Sequence, residues 1–374
     1  MSMRRYVASA FLVAVATTVA RPADAIPVFA HRYGLTCQAC HTTIPHLTAF
    51  GEAFLARGYR IPGLEAKQTL PIAVKGVVSY TSGTNGGDAD AVTTGKLPRA
   101  TVAELEFLMG GSLGKRTSYW AESYVVDGGF PGRVRDMWVS QRISGDHAAT
   151  PIVIRAGQAT LDLPVDPETF RETSDPYAIY SLNGFHNPFT FFQPKLGVSA
   201  LVGSAAHGTS GTVSLLEGRE PQSNLPLRGL DRSLYVQHVR GDVTFAAYRY
   251  DGTRFVDGAD DRFWRQGYGL GWAHRGTRID AVYQTGFDTR ADQYADALFS
   301  SGGFVQVRQD LGRRTFAIAR WDATQGDNFT RAATVGLGYR PLRNMRLTAF
   351  DSMRPDPTAQ HTQHTLTTQL LFAY

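Results

Sequence analysis

The stretch Gly267-Tyr268-Gly269-Leu270-Gly271-Trp272 decides the fold class. Its large apolar residues occupy every second position, with glycine between them. A period of two belongs to a strand with two unlike faces. The alternation recurs at Val335-Gly336-Leu337-Gly338-Tyr339. It recurs again at 366–374, where Leu366, Thr368, Leu370, Phe372 and Tyr374 alternate with Thr367, Gln369, Leu371 and Ala373. Ile72, Val74, Val78 and Tyr80 share a face opposite Lys75 and Ser79. Large apolar residues outward and small or polar residues inward is the pattern of a transmembrane β-barrel.

Working outward from these segments, the chain divides into sixteen expected strands. They begin near residues 71, 99, 116, 134, 150, 192, 209, 231, 242, 265, 277, 302, 314, 331, 345 and 363. Connections after even-numbered strands are short: Lys115-Arg116, Arg240-Gly241, Arg275-Gly276, Arg313-Arg314 and 341–344. Most after odd-numbered strands are longer: 82–98, 159–191, 218–230, 252–264, 288–301, 322–330 and 354–362. Short periplasmic turns and long outer loops are the habit of outer-membrane barrels. The expectation is a mainly β chain: a transmembrane antiparallel β-barrel of about 16 strands, preceded by a small N-terminal α-helical segment. A soluble sandwich or propeller is the rival. The aromatic last strand, the alternating loop lengths and the low charge argue against it.

Composition agrees. Of 374 residues, 43% are hydrophobic and only 19% charged, with 38 Gly, 21 Phe and 16 Tyr. Beyond the N-terminus no run approaches the roughly 18 apolar residues of a spanning helix, which excludes a helical membrane protein. Two cysteines exclude a disulfide scaffold. A net charge of +5 is too mild to argue for nucleic acid.

Arg4 and Arg5 precede an apolar stretch from Val7 to Ala20, and Ala23-Asp24-Ala25 offers a small-x-small cleavage site. This is the layout of a secretory signal, with the mature chain expected from Ile26. An uncleaved anchor is the alternative. Export to the envelope of a Gram-negative bacterium puts any thiols in an oxidising compartment.

The two cysteines fall in Cys37-Gln38-Ala39-Cys40-His41, a C-x-x-C-H. In an exported protein this is the attachment signal for c-type haem. Thiols three residues apart on a helical turn each add to one vinyl group, and the following imidazole faces the iron as proximal ligand. A redox disulfide would want a thioredoxin-like surround, and zinc a second ligand pair. The expected cofactor is one covalent haem c, held by Cys37, Cys40 and His41, with His41 on the iron. For the sixth position, His31 and His46 are the nearby imidazoles; Met109 or an open site is the remaining option. Pro45 suits a first helical turn and Gly58 a C-cap, with Leu47, Phe50 and Phe54 on one apolar face between them. The expected organisation is 1–25 signal peptide, 26–68 monohaem cytochrome c-like segment and 69–374 porin-like barrel. A segment of about 40 residues is marginal as an independent core, so the barrel is expected to enclose it.

Other features bear on the lumen. Lys75, Glu104, Glu106, Glu122, Arg155 and Asp280 fall on inward positions. The longest loop, 159–191, carries or adjoins Phe170, Phe185, Phe189, Phe191 and Phe192, and either folds inward as a constriction or braces on the rim. Short turns carry Lys115, Arg116, Arg240, Arg275, Arg313, Arg314 and Arg343. Long loops carry Asp88, Asp90, Asp162, Asp166, Asp257, Asp260, Asp261, Asp292, Asp296, Asp327 and Asp356. Aspartate is a turn former, which accounts for much of this; the sharper reading is an acidic outer mouth that concentrates cations. Asp257 to Asp261 also reads as a candidate calcium turn.

A single C-x-x-C-H just after a signal peptide, ahead of a porin-like barrel, resembles the outer-membrane cytochrome–porin fusion family of iron-oxidising bacteria. The local match runs over 29–41, from Phe29-Ala30-His31 to Cys40-His41, then Leu47-Thr48-Ala49-Phe50-Gly51-Glu52-Ala53-Phe54 and Gly58-Tyr59. Beyond these residues the likeness is architectural. Residue by residue it carries over Cys37, Cys40 and His41 only. Family members often run from the haem motif into Phe-Pro; here the chain continues Thr42-Thr43-Ile44-Pro45. The resemblance implies electron transfer through one haem, from an extracellular donor such as Fe(II) to a periplasmic c-type cytochrome. If the protein is an enzyme, that makes it an Fe(II)-oxidising oxidoreductase in contact with outer-membrane lipid. The competing classes are a solute porin, with the haem segment as plug or sensor, and peroxidase-like chemistry at an open iron.

Overall fold

The computed structural model describes residues 28–35, 37–43, 46–57, 59–61, 63–64, 72–83, 99–145, 148, 150–167, 172–182, 187–218, 229–256, 258–289, 297–326, 330–342, 344–355 and 362–373. The expected signal peptide, Pro45 and Gly58 lie outside them.

Sixteen antiparallel strands close into a barrel. In chain order these are β1 (Ile72–Gly83), β2 (Arg99–Ser112), β3 (Thr117–Asp127), β4 (Val134–Arg142), β5 (Ile152–Ala159) and β6 (Lys195–Val202). Next come β7 (Gly208–Glu217), β8 (Leu230–Arg240), β9 (Val243–Val256), β10 (Ala259–His274) and β11 (Thr277–Asp288). The wall ends with β12 (Leu298–Asp310), β13 (Thr315–Gln325), β14 (Thr330–Tyr339), β15 (Met345–Pro355) and β16 (Thr362–Ala373). Each strand pairs with its sequence neighbour. β16 closes on β1 with Leu370 opposite Val78 and Phe372 opposite Gly76. Closure removes every free edge, which a spanning sheet requires because lipid offers no partner to an open backbone. Phe130–Pro131 adds a short pairing to the β3–β4 hairpin.

Alternation sets the outer face as expected. Tyr268, Leu270, Trp272, Val335, Leu337 and Tyr339 are exposed on the outside. The intervening glycines are needed because neighbouring rings occupy the inner side. A Cβ on Gly338 would collide with the Phe316 ring, and one on Gly267 with Tyr248.

Two expectations about the connections are corrected. The 252–264 loop does not exist: β9 and β10 pair up to Val256 opposite Ala259. Asp260 and Asp261 are therefore strand residues, and Asp261 is fully buried. Acidic side chains read as loop formers, but here Asn187 donates to Asp261 Oδ2 at 2.8 Å and Thr289 to its Oδ1 at 3.1 Å. That satisfies the carboxylate inside the wall. Asp257 of the candidate calcium turn lies outside the described residues, and among those described no cluster of His, Cys, Asp or Glu is arranged to hold a metal ion. The remaining short connections form one end of the barrel, hereafter the turn end, and most long ones the opposite loop end. At the turn end Arg275 and Gly276 both have positive φ, 46° and 84°. This is the mirror-image turn that matches strand twist.

The N-terminal segment contains three short helices, α1 (Val28–Tyr33), α2 (Cys37–Cys40) and α3 (Ala49–Ala56), and a bridge in which His41 pairs with Leu47 and Thr43 with His46. Helix α3 begins at Ala49, directly after Thr48. The Thr48 hydroxyl accepts from Gly51 N at 3.1 Å, an N-cap contact. At its far end Tyr59 takes a left-handed φ of 62°, with its N–H donating to Phe54 O at 3.0 Å.

Candidate functional site: a filled lumen

Helix α2 is a single turn with Cys37 and Cys40 at its two ends. His41 follows directly. That spacing is the one that thioether attachment of a c-type haem uses. The side chains of Cys37, His41, His31 and His46 lie outside the described residues. Thr48 ties the turn to α3: its hydroxyl donates to Ala39 O at 2.7 Å, and its N–H to Cys40 O at 2.8 Å. Met109 is corrected as a sixth-ligand option. It stands on β2 with Phe107, exposed on the outer face, away from the lumen.

The segment seats against the inner wall through aromatic rings. Phe29 stacks on Tyr59 at 4.5 Å between centroids, and Phe54 meets Phe29 edge-on at 5.2 Å. Tyr59 then reaches the barrel, with Trp120 of β3 at 5.9 Å and Trp138 of β4 at 6.4 Å. Gly110 of β2 opens the space; a Cβ there would stand 3.0 Å from Phe29 and closer to Trp120. Tyr33 donates its hydroxyl to Tyr59 O at 2.9 Å, and Arg60 donates to Lys115 O in a turn at the turn end. Burial holds the Tyr59 phenol well above its ordinary pKa, so the group stays neutral. Phe54 is therefore an aromatic core residue, as its helical spacing with Phe50 suggested, while Phe50 is exposed.

The expected inward charges are inward, and paired. Lys75 reaches Glu106 at 2.7 Å and Glu104 at 3.4 Å; Arg135 lies 3.8 Å from Glu122, and Arg278 2.8 Å from Asp280. Arg155 sits over Trp138 at 5.7 Å and 3.8 Å from Asp162. That chain of contacts links the N-terminal seat to the connection 160–194.

This connection folds into the barrel, which settles its two expected placements in favour of the lumen. Leu161, Leu163, Val165, Tyr177, Ile179, Tyr180, Phe189 and Phe191 are buried in one cluster with Tyr248, Tyr250, Phe263, Val282 and Phe304 of the wall. Tyr177 stacks on Phe304 at 4.4 Å, and Phe189 lies 4.4 Å from Tyr250. The lumen is thus not uniformly polar. β8, β9, β10 and β12 carry Tyr235, Tyr248 and Tyr250, Phe263 and Phe304 inward.

Polar clamps fix the loop backbone. Gln284 donates to Ile179 O and Arg265 to Leu182 O, both at 2.9 Å, and Arg320 to Asp175 O at 3.0 Å. Arg265 also pairs with Asp288 at 2.9 Å, both fully buried. Glu172, fully buried, lies 3.6 Å from Arg308 and 3.3 Å from Arg346. Asp175 accepts from Thr334 and Ser352. Asp162 and Asp166 belong to this inward loop, so they are no part of an acidic outer mouth; the other expected loop aspartates 88, 90, 257, 292, 296, 327 and 356 fall outside the described residues. Sequence reasoning missed Trp120, Trp138, Tyr177, Glu172, Arg308 and Arg346, since their partners lie far away in the chain.

No protein-family model and no curated protein matches the chain. Solved structures do. An anion-selective porin from Comamonas acidovorans superposes with a TM-score of 0.61 at 12% identity, covering 81% of this chain and 99% of that one. Salmonella typhi OmpF, in complex with daunomycin, gives 0.60 at 10% identity, over 81% and 97%. A loop-deletion mutant of Vibrio cholerae OmpT gives 0.56 at 11% identity, over 82% and 99%. The chain has the porin-like outer-membrane β-barrel fold. At such identities the likeness speaks for the fold alone.

Proposed function

We propose that this protein works in the outer membrane as a porin-type barrel whose passage is occupied, with the N-terminal segment as a plug at the turn end. The observation that carries this reading is the seating of Tyr59 against Trp120 and Trp138 inside the wall. The second filling, the clamped 160–194 loop, narrows what remains. Planar-bilayer recordings test it. The whole protein is expected to conduct poorly, and Tyr59→Ala to conduct several-fold better. High, unchanged conductance in both would sink the plug.

A second reading has its own observation: C-x-x-C-H on one helical turn of an exported chain. In it Cys37 and Cys40 hold one haem c by thioether bonds and His41 ligates the iron. The haem would supply one-electron redox chemistry. The chain's own residues position it: Thr48 braces the cysteine turn, and the aromatic seat joins the segment to the barrel. An occupied lumen excludes water and supplies the burial that raises or lowers a haem potential. The function is then electron transfer across the outer membrane, from an extracellular donor such as Fe(II) to a periplasmic c-type cytochrome. The porin-like fold supports the first reading directly; the motif alone supports the second. A visible spectrum of the ferric protein during anaerobic Fe(II) addition separates them. Rapid appearance of reduced c-type bands supports the relay. A haem reduced by dithionite but not by Fe(II) removes iron as donor, and no covalent haem at all leaves the plugged porin.

A further inference from the structure

Outward positions of a barrel strand face lipid, where an arginine at mid-depth is costly. Arg232, Arg249 and Arg262 nevertheless stand on the outer face of β8, β9 and β10. Strand parity places them there. Arg232 shares its face with exposed Leu234 and Val236, Arg249 with exposed Phe245, and Arg262 with exposed Tyr268 and Leu270.

Their depth follows from one row of strand partners. Arg232 is opposite Asp251, Asp251 opposite Trp264, Trp264 opposite Phe287, and Phe287 opposite Phe299. The three aromatics touch, Trp264 and Phe287 at 6.5 Å and Phe287 and Phe299 at 4.6 Å. An aromatic girdle marks the membrane interface. The arginines therefore lie at headgroup level, at the loop end, where a lipid-facing charge costs little.

Arg249 is committed within the protein. Its Nε and Nη2 donate to both oxygens of Asp251 at 2.6–3.0 Å, and its guanidinium lies over Trp264 at 4.4 Å. It neutralises Asp251 between the other two cations. Asp260 stands beyond them, opposite Phe255. Arg232 and Arg262, both exposed, flank this block two strand spacings apart and two residues apart along the strands, roughly 12 Å between backbones. A guanidinium presents a fork that matches phosphate oxygens.

We propose that β8–β10 form a lipid A site, with Arg232 and Arg262 each taking one of the two phosphates of the disaccharide headgroup. The acyl chains lie along exposed Leu234, Phe245 and Leu270. The two-cation spacing favours a bis-phosphorylated headgroup over a single-phosphate lipid. The proposal rests on the reading that the loop end faces outward, into the leaflet where lipid A resides.

The test is titration of the whole protein in mild detergent, followed by native mass spectrometry. The probes are bis-phosphorylated lipid A, lipid A stripped of its phosphates, and phosphatidylglycerol. Tenfold or weaker binding of stripped lipid A, and the same loss in an Arg232→Gln/Arg262→Gln variant, is expected. Both residues are exposed, so the variant barrel should keep its heat-resistant fold on a gel. Unchanged affinity in the variant overturns the site. Equal binding of phosphatidylglycerol overturns the lipid A assignment. A changed oligomeric mass with lipid A binding intact also overturns it, in favour of a contact between protein copies. Labelling of Ala259→Cys by an impermeant reagent on intact cells tests the orientation separately, so a reversed barrel would be told apart from a missing site.

Discussion

Tyr59, held at a left-handed φ of 62° just past α3, lays its ring 6.4 Å from Trp138 with an interplanar angle of 20°. A bulky residue pays for such a backbone, at about 1–3 kcal/mol, only where its surroundings over-determine it. Here the surroundings are Phe29, Trp120 and Trp138, which makes this ring the anchor of the N-terminal segment.

Replacing Tyr59 with Ala should therefore free the segment without opening the barrel. The loss is about 3–5 kcal/mol of local packing, as for other large aromatic truncations. Limited trypsin digestion is the measurement: cleavage after Arg57 or Arg60 should quicken at least tenfold while the barrel stays heat-resistant on a gel. Tyr59→Phe keeps the ring and should behave as wild type.

Glu172→Ala removes a buried carboxylate from between Arg308 and Arg346. Taking one partner from a buried ionic cluster costs about 3–5 kcal/mol, since the remaining charges stay desolvated. The barrel's thermal unfolding midpoint should fall by several degrees, with increased protease access to 172–182. An unchanged midpoint would mean the loop is held by its aromatic cluster alone.

Gly269 faces Pro164 so closely that any Cβ would collide with it. Gly269→Val should lift the start of the inward loop at a cost of about 1–3 kcal/mol. Because the outer face is untouched, the barrel should still insert. Raised single-channel conductance is the expected readout; wild-type conductance at wild-type stability would show that the loop has room to yield.

Cys37→Ser and Cys40→Ser each remove one thiol of the helical turn. On the haem reading, staining after a denaturing gel should be weakened by either change and abolished by both together. His41→Ala should keep the stain but shift the visible spectrum toward an open axial site. A wild-type chain that never stains, expressed with a functioning haem-attachment system, would end the cytochrome reading.

Much of the barrel was legible in the chain because a strand facing lipid on one side and a lumen on the other must alternate at a period of two. Most of the sixteen expected starts fall within three residues of the observed strands; β10 and β12 begin earlier, at Ala259 and Leu298. The error at β10 has a cause. Asp260 and Asp261 carry turn propensity, and only the distant donors Asn187 and Thr289 make a buried aspartate tolerable there. The C-x-x-C-H turn was legible for the same local reason, since three residues along a helix always share a face.

By itself, then, the sequence determined the alternating wall and the cysteine turn, both consequences of backbone periodicity within a few neighbouring residues. What fills the lumen was decided only by tertiary structure. Tyr59 meets Trp138, Tyr177 meets Phe304 and Glu172 meets Arg346 across long stretches of chain. Such contacts have no local period to betray them. They exist because closing the wall leaves an interior that buried aromatic rings and paired charges must fill.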